Sequence, residues 1–153
     1  MIDVIGILRV GLGVVLLVAA TGKAISRPSS LDILLIAAEF AIAIALLLGL
    51  LPVVSAVVTA GMTIGYLAYS FRGTKTQCRC FGAHLPITSR SGQQWRNAAL
   101  SALASTYAWA MLAAGQPPRS DALSVGFGVL LGAAVVTFPW LSEWSLGNNR
   151  VSD

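Results

Sequence analysis

The chain has 153 residues, of which 56% are hydrophobic and only 10% charged. Soluble domains carry roughly 25% charged residues, so this composition excludes an ordinary water-soluble domain and predicts an all-α, polytopic transmembrane helical bundle. A spanning helix needs about 20 apolar residues, so the length accommodates four to five spans in a single membrane domain and no separate soluble one. The net charge of +4 is not a nucleic-acid signature. The basic residues flank the apolar runs, where Lys and Arg set orientation in the bilayer.

The first apolar run, about residues 2–20, lacks a basic leader and a small-residue cleavage site, so it reads as a retained span. Gly6, Gly11 and Gly13 are the small residues that allow close helix approach. Arg9 interrupts this run. A basic side chain inside a span costs about 2.5–3.5 kcal/mol on insertion scales, so Arg9 either snorkels to the near interface or pairs inside the bundle. Residues 21–30 then read as a loop containing Gly22, Lys23, Arg27 and Pro28, with Ser29 or Ser30 placed to cap the next helix.

The second span covers about residues 31–51. Glu39 lies roughly 12 Å deep within it at 1.5 Å per residue. An intramembrane carboxyl is a functional-site hypothesis by default. It is expected to pair with Arg9, either as a packing salt bridge or as a carrier of protons, or to bind the head of a quinone. Pro52 marks a turn, and the third span covers about 53–71. Gly61 and Gly65 form a small-xxx-small face there, which reads as a packing surface. Tyr66, Tyr69 and Phe71 form an aromatic end of the kind found at an interface.

Residues 72–94 form the longest polar segment. It contains Cys78-Arg79-Cys80-Phe81-Gly82, and its two cysteines are the only ones in the chain. A pair this close can cycle between dithiol and disulfide, ligate a soft metal, or simply occupy a turn. Closing a ring between residues i and i+2 requires a bend, because bridges favour Cα separations of roughly 5.5–6 Å. Strained, exposed bridges are the labile, catalytic ones. Arg79, with Arg72 and Lys75 before it, favours the nucleophilic thiolate. His84 is the sole histidine. With Cys78 and Cys80 it makes three soft ligands for copper or zinc, one short of the four that a closed zinc site takes. No C-x-x-C-H occurs, which excludes c-type haem attachment.

The fourth span covers about 95–114 and opens with Trp95-Arg96-Asn97. Arg96 is placed to stabilise a thiolate or to anchor at the headgroups. Pro117 and Pro118 mark a turn, and the fifth span covers about 122–141 with a Gly128–Gly132 step. Five spans put Lys23, Arg27, Arg72, Lys75, Arg79, Arg90, Arg96 and Arg150 on one side and Arg119 on the other. The positive-inside rule then places the cysteine loop in the cytoplasm, whereas disulfides persist outside it. The sequence carries both signals.

Arg9, Thr21-Gly22-Lys23, Glu39, Cys78-Arg79-Cys80-Phe81-Gly82 and Arg96-Asn97 together resemble the MauE family, which is related to DoxX-like membrane proteins. The resemblance covers residue 9 to about 100. It implies a four-helix core similar to that of vitamin K epoxide reductase. It also implies a role in maturing a disulfide-containing extracytoplasmic client, often beside a thioredoxin-like partner. Quinone is the cofactor this likeness suggests, although those enzymes use C-x-x-C and this chain has C-x-C.

The reading is therefore a multi-pass plasma-membrane protein for thiol–disulfide exchange. Cys78 and Cys80 are the redox pair. Arg79, Phe81, Gly82, Arg96 and Asn97 support it, and Arg9 with Glu39 forms an intramembrane pair. The competing readings are a non-catalytic accessory subunit of a larger membrane complex and a copper- or zinc-handling protein.

Overall fold

The computed structural model of the chain describes residues 3–25, 30–72, 90–114 and 122–148. These form five helices: α1 Val4–Ile25, α2 Ser30–Leu48, α3 Pro52–Arg72, α4 Arg90–Ala114 and α5 Ala122–Asn148.

Local signals set the helix ends. The Asp3 carboxylate accepts from the Ile5 N–H at 3.0 Å and so caps α1. At the end of α2 the Leu50 N–H reaches back to the Ala45 carbonyl and the Gly49 N–H to the Leu46 carbonyl. Gly49 takes the left-handed conformation, φ 70°, that this double closure requires. Leu51 is also left-handed at φ 46°, a conformation that costs a side-chain-bearing residue roughly 1–2 kcal/mol. Pro52 then opens α3, where its missing N–H removes no helical bond.

α1, α2, α3 and α4 close a ring in which each helix packs on the next and α4 returns to α1, while α5 packs on α1 and α4. α1 is the hub. Gly13 faces Ala43 and Leu47 of antiparallel α2. Gly11 faces Gly128 and Gly132 of parallel α5, where a Cβ on Gly128 would lie 2.6 Å from the Val10 Cβ. The core is continuous from Leu8, Leu12, Val15 and Leu16 of α1 through Leu46 of α2 to Leu100, Tyr107 and Met111 of α4.

The surface is inverted relative to that of a soluble protein. Leu34 is 71% exposed and Trp95 77%, while Glu39 is 0% exposed. Arg9, Lys23, Thr59, Thr63, Arg96 and Asn97 are also buried. An apolar exterior around a polar, charged interior is what a hydrocarbon solvent selects. α1 and α3 are long and apolar enough to cross a membrane. Several buried threonine and serine hydroxyls bond within their own helices: Thr59 donates to the Ser55 carbonyl at 2.6 Å, and Ser101 to that of Asn97 at 2.8 Å.

Several expectations require correction. α1 continues to Ile25, so Thr21, Gly22 and Lys23 are helical and not in a loop. A single glycine does not stop a helix, and the Thr21 hydroxyl bonds the Leu17 carbonyl at 2.8 Å. α4 starts at Arg90, so residues 90–94 of the expected polar loop are helical, and α5 continues past residue 141 to Asn148. Polar helical turns carry no apolar signal, so a hydropathy reading ends spans too early. Gly61 and Gly65 do not pack within the chain, since a Cβ on either would meet nothing within 4 Å.

Candidate functional site

Glu39 sits at the centre of a buried polar cluster contributed by four helices. Its Oε1 accepts from both the Lys23 ammonium of α1 and the Tyr66 hydroxyl of α3. Lys23 Nζ also lies 3.3 Å from the Tyr66 oxygen and 4.8 Å from the centre of its ring. Asn97 of α4 closes the group, its Nδ2 donating to the Tyr66 carbonyl at 3.5 Å. Arg96 is buried next to it in sequence.

Helix geometry explains why Lys23 reaches a residue deep in α2. The Gly13–Ala43 and Gly13–Leu47 contacts place Glu39 about one turn further into the bundle than Lys23. Helical side chains lean toward their own N-terminus. In two antiparallel helices that lean carries Lys23 inward and Glu39 outward, and the two meet.

The expected Arg9–Glu39 pair does not form. Arg9 and Lys23 are fourteen residues apart on α1, about 21 Å at 1.5 Å per residue, so Arg9 lies toward the opposite end of the bundle. There it packs against Gly49, where a Cβ would come within 2.5 Å of its Nη1. The end of α2 provides partial negative charge, worth typically 0.3–1 kcal/mol at a helix terminus. Desolvating a buried ion costs several kcal/mol, so the helix end offsets only a fraction.

The Lys23–Glu39–Tyr66 cluster pairs a cation with an anion and adds a neutral donor, so its formal charges cancel. Glu39 Oε2 and Asn97 Oδ1 are buried without a hydrogen-bond partner. The carboxylate thus keeps one oxygen available as an acceptor.

Of the residues expected at the site, the structure brings Glu39 and Asn97 to Tyr66, buries Arg96 one residue before Asn97 on α4, and places Arg9 elsewhere. Cys78, Arg79, Cys80, Phe81, Gly82 and His84 lie outside the described residues. Among the described residues, no three His, Cys, Asp or Glu side chains come together as a metal site. Lys23 and Tyr66 were missed as site residues, the first read as a loop cation and the second as an interface aromatic. The available signal was an uncompensated carboxylate in α2 with a lysine one turn beyond the end of the preceding apolar run.

The family model for methylamine utilisation protein MauE matches residues 27–110. The chain belongs to the MauE family. The matched segment holds Glu39, Tyr66, both cysteines, Arg96 and Asn97, whereas Arg9, Lys23 and α5 lie outside it. No curated protein and no solved structure matches the chain.

Proposed function

We propose that this MauE-family chain is a multi-pass plasma-membrane protein that performs thiol–disulfide exchange through Cys78 and Cys80, assisting the maturation of a partner protein or delivering electrons to it. The observation that carries the reading is that the only two cysteines of the chain stand in C-x-C spacing, flanked by Arg79, inside the segment that matches the family. Family membership supports a task in methylamine utilisation or a related system.

In the exchange, one thiolate attacks a sulfur of a partner disulfide. That S–S bond breaks and a mixed disulfide forms. The second thiolate attacks the mixed disulfide and releases the partner as a dithiol. Two electrons pass to the partner, and Cys78–Cys80 closes as a disulfide. Run in reverse, the same steps oxidise a client dithiol, with a thioredoxin-like protein or a quinone taking the electrons from the reduced pair. Arg79 favours the attacking thiolate.

The test is trapping. In Cys78→Ser or Cys80→Ser cells, one of the two variants is expected to accumulate a partner as a complex released by reductant, and the double variant is not. Impermeant thiol reagents, applied to intact and permeabilised cells with and without prior reduction, locate the pair. If neither single variant traps a partner and the labelling ignores reduction, the exchange reading fails.

A second reading is an accessory subunit of a larger membrane complex. The open Gly61–Gly65 face of α3 supports it, since small residues admit a close neighbouring helix. It predicts co-purification with a membrane partner that survives loss of both cysteines.

A further inference from the structure

Lys23 stands between two carboxylates of α2. Gly13 of α1 packs between Ala43 and Leu47 of antiparallel α2. Ten residues outward from that contact along each helix, the Lys23 backbone is level with about residue 35 of α2. Glu39 lies four residues from that level toward the interior, about 6 Å, and Asp32 three residues toward the surface, about 4.5 Å. The two carboxylates are seven residues apart, about two turns, so they share the face of α2 that meets Lys23. Their settings differ. Glu39 is fully buried, whereas Asp32 is exposed in the first turn of α2.

Lys23 occupies the inner position, paired with Glu39 Oε1. It lies in the last turn of α1, and its four-carbon stem lets the ammonium turn outward without backbone movement. Asp32 is the carboxylate on that outward path, and its charge acts on Lys23. Among the described residues, the titratable groups bonded to Glu39 are Lys23 of α1 and Tyr66 of α3. From α4, Asn97 bonds the Tyr66 carbonyl, with Arg96 buried one residue before it. Lys23 and Tyr66 both bond Oε1, so a proton arriving at Glu39 goes to Oε2. The pair then loses its anion. An ammonium held in place would be an uncompensated buried charge, a strongly destabilised state.

We infer that Glu39 is a proton-binding site and that Lys23 is its two-position counter-ion, paired with Glu39 when that carboxylate is ionised and with Asp32 when Glu39 holds a proton. A proton from water at this end of the bundle forms an O–H bond on Oε2. The Lys23–Glu39 ion pair opens, and the ammonium, keeping its three protons, pairs with the Asp32 carboxylate. Nothing is oxidised or reduced. The Tyr66 hydroxyl goes on donating to Oε1 and Asn97 to the Tyr66 carbonyl, so α3 stays tied to α2 and α4 in both positions. Neither cysteine takes part, so the site stands or falls separately from thiol–disulfide exchange.

The test uses the full-length protein in detergent and a water-soluble carbodiimide, which joins an amine directly to a neighbouring carboxylate as an amide with loss of water. Peptide mass spectrometry then measures the Lys23–Asp32 cross-link. Products at Lys75, the only other lysine of the chain, correct for reagent activity. Glu39→Gln mimics the protonated acid, and it is expected to raise the Lys23–Asp32 yield about tenfold or more over the wild type at neutral pH. Asp32→Asn in that background is expected to abolish the product. In the wild type, acidification is expected to raise the same yield in step with a protonated-carboxyl band in the infrared difference spectrum, a band that Glu39→Gln lacks. If Glu39→Gln does not fold, the wild-type titration decides the matter. A Lys23–Asp32 yield that is the same in the wild type and Glu39→Gln overturns the inference. So does a wild-type carboxyl band that appears on acidification with no gain in the cross-link.

Discussion

Replacing Lys23 by Met removes the cation from beside Glu39 while keeping most of the side-chain volume. The two side chains are 7% and 0% exposed, so neither charge is shared with solvent. Removing one partner of a buried pair leaves an uncompensated buried charge and costs about 3–5 kcal/mol, whereas replacing both partners by neutral groups of similar size is often nearly neutral. Lys23→Met is therefore expected to destabilise the bundle by about 3 kcal/mol or more. Glu39→Gln is expected to cost less, because Lys23 is in the last turn of α1 and its long stem can carry the ammonium toward the headgroups. The double variant is expected to be more stable than the sum of the two losses predicts, with a coupling of about 2 kcal/mol, within the range seen for residues in direct contact. Equilibrium unfolding of the four proteins in one detergent measures all three quantities. Losses below about 1 kcal/mol in both single variants, additive in the double, would refute the claim that this pair is a buried, mutually dependent unit.

Tyr66→Phe removes one donor from Glu39 and leaves the Lys23 ion pair, so a loss of about 1.5–3 kcal/mol is expected in the same unfolding assay. Gly128→Ala is expected to destabilise by about 1–3 kcal/mol, because its Cβ would meet the Val10 Cβ at 2.6 Å and the Ile7 carbonyl at 2.9 Å, and neither can swing away. Gly61→Ala and Gly65→Ala meet open space and are expected to be neutral or stabilising by up to about 1 kcal/mol, since glycine is a poor helix residue. A loss of stability at Gly61 or Gly65 only when a membrane partner is present would instead support the accessory-subunit reading.

Much of this architecture is legible in the chain because hydrocarbon tolerates so few backbone solutions. Apolar runs of spanning length, separated by Pro52 and by the Pro117-Pro118 dipeptide, leave helices as the only reasonable form. The C-x-C motif is equally visible, since it depends on two positions separated by one residue and not on any packing. The helix ends were harder to read. Thr21 to Ile25 and Arg90 to Gln94 are helical without being apolar, so a hydropathy reading stops short of both.

The sequence alone determined that charges at Arg9 and Glu39 lie inside apolar segments, and therefore that each needs an unusual environment. It could not determine which charge meets which. That depends on the register of α1 against α2, set by Gly13 between Ala43 and Leu47, and on the inward lean of helical side chains. The tertiary structure decided that Lys23, and not Arg9, neutralises Glu39, and that Tyr66 of α3 completes the pair. It also decided that Arg9 is buried at the far end, against Gly49. Charge in a span is written in one dimension, but its partner is chosen by helix register and rotation, which exist only once the helices pack.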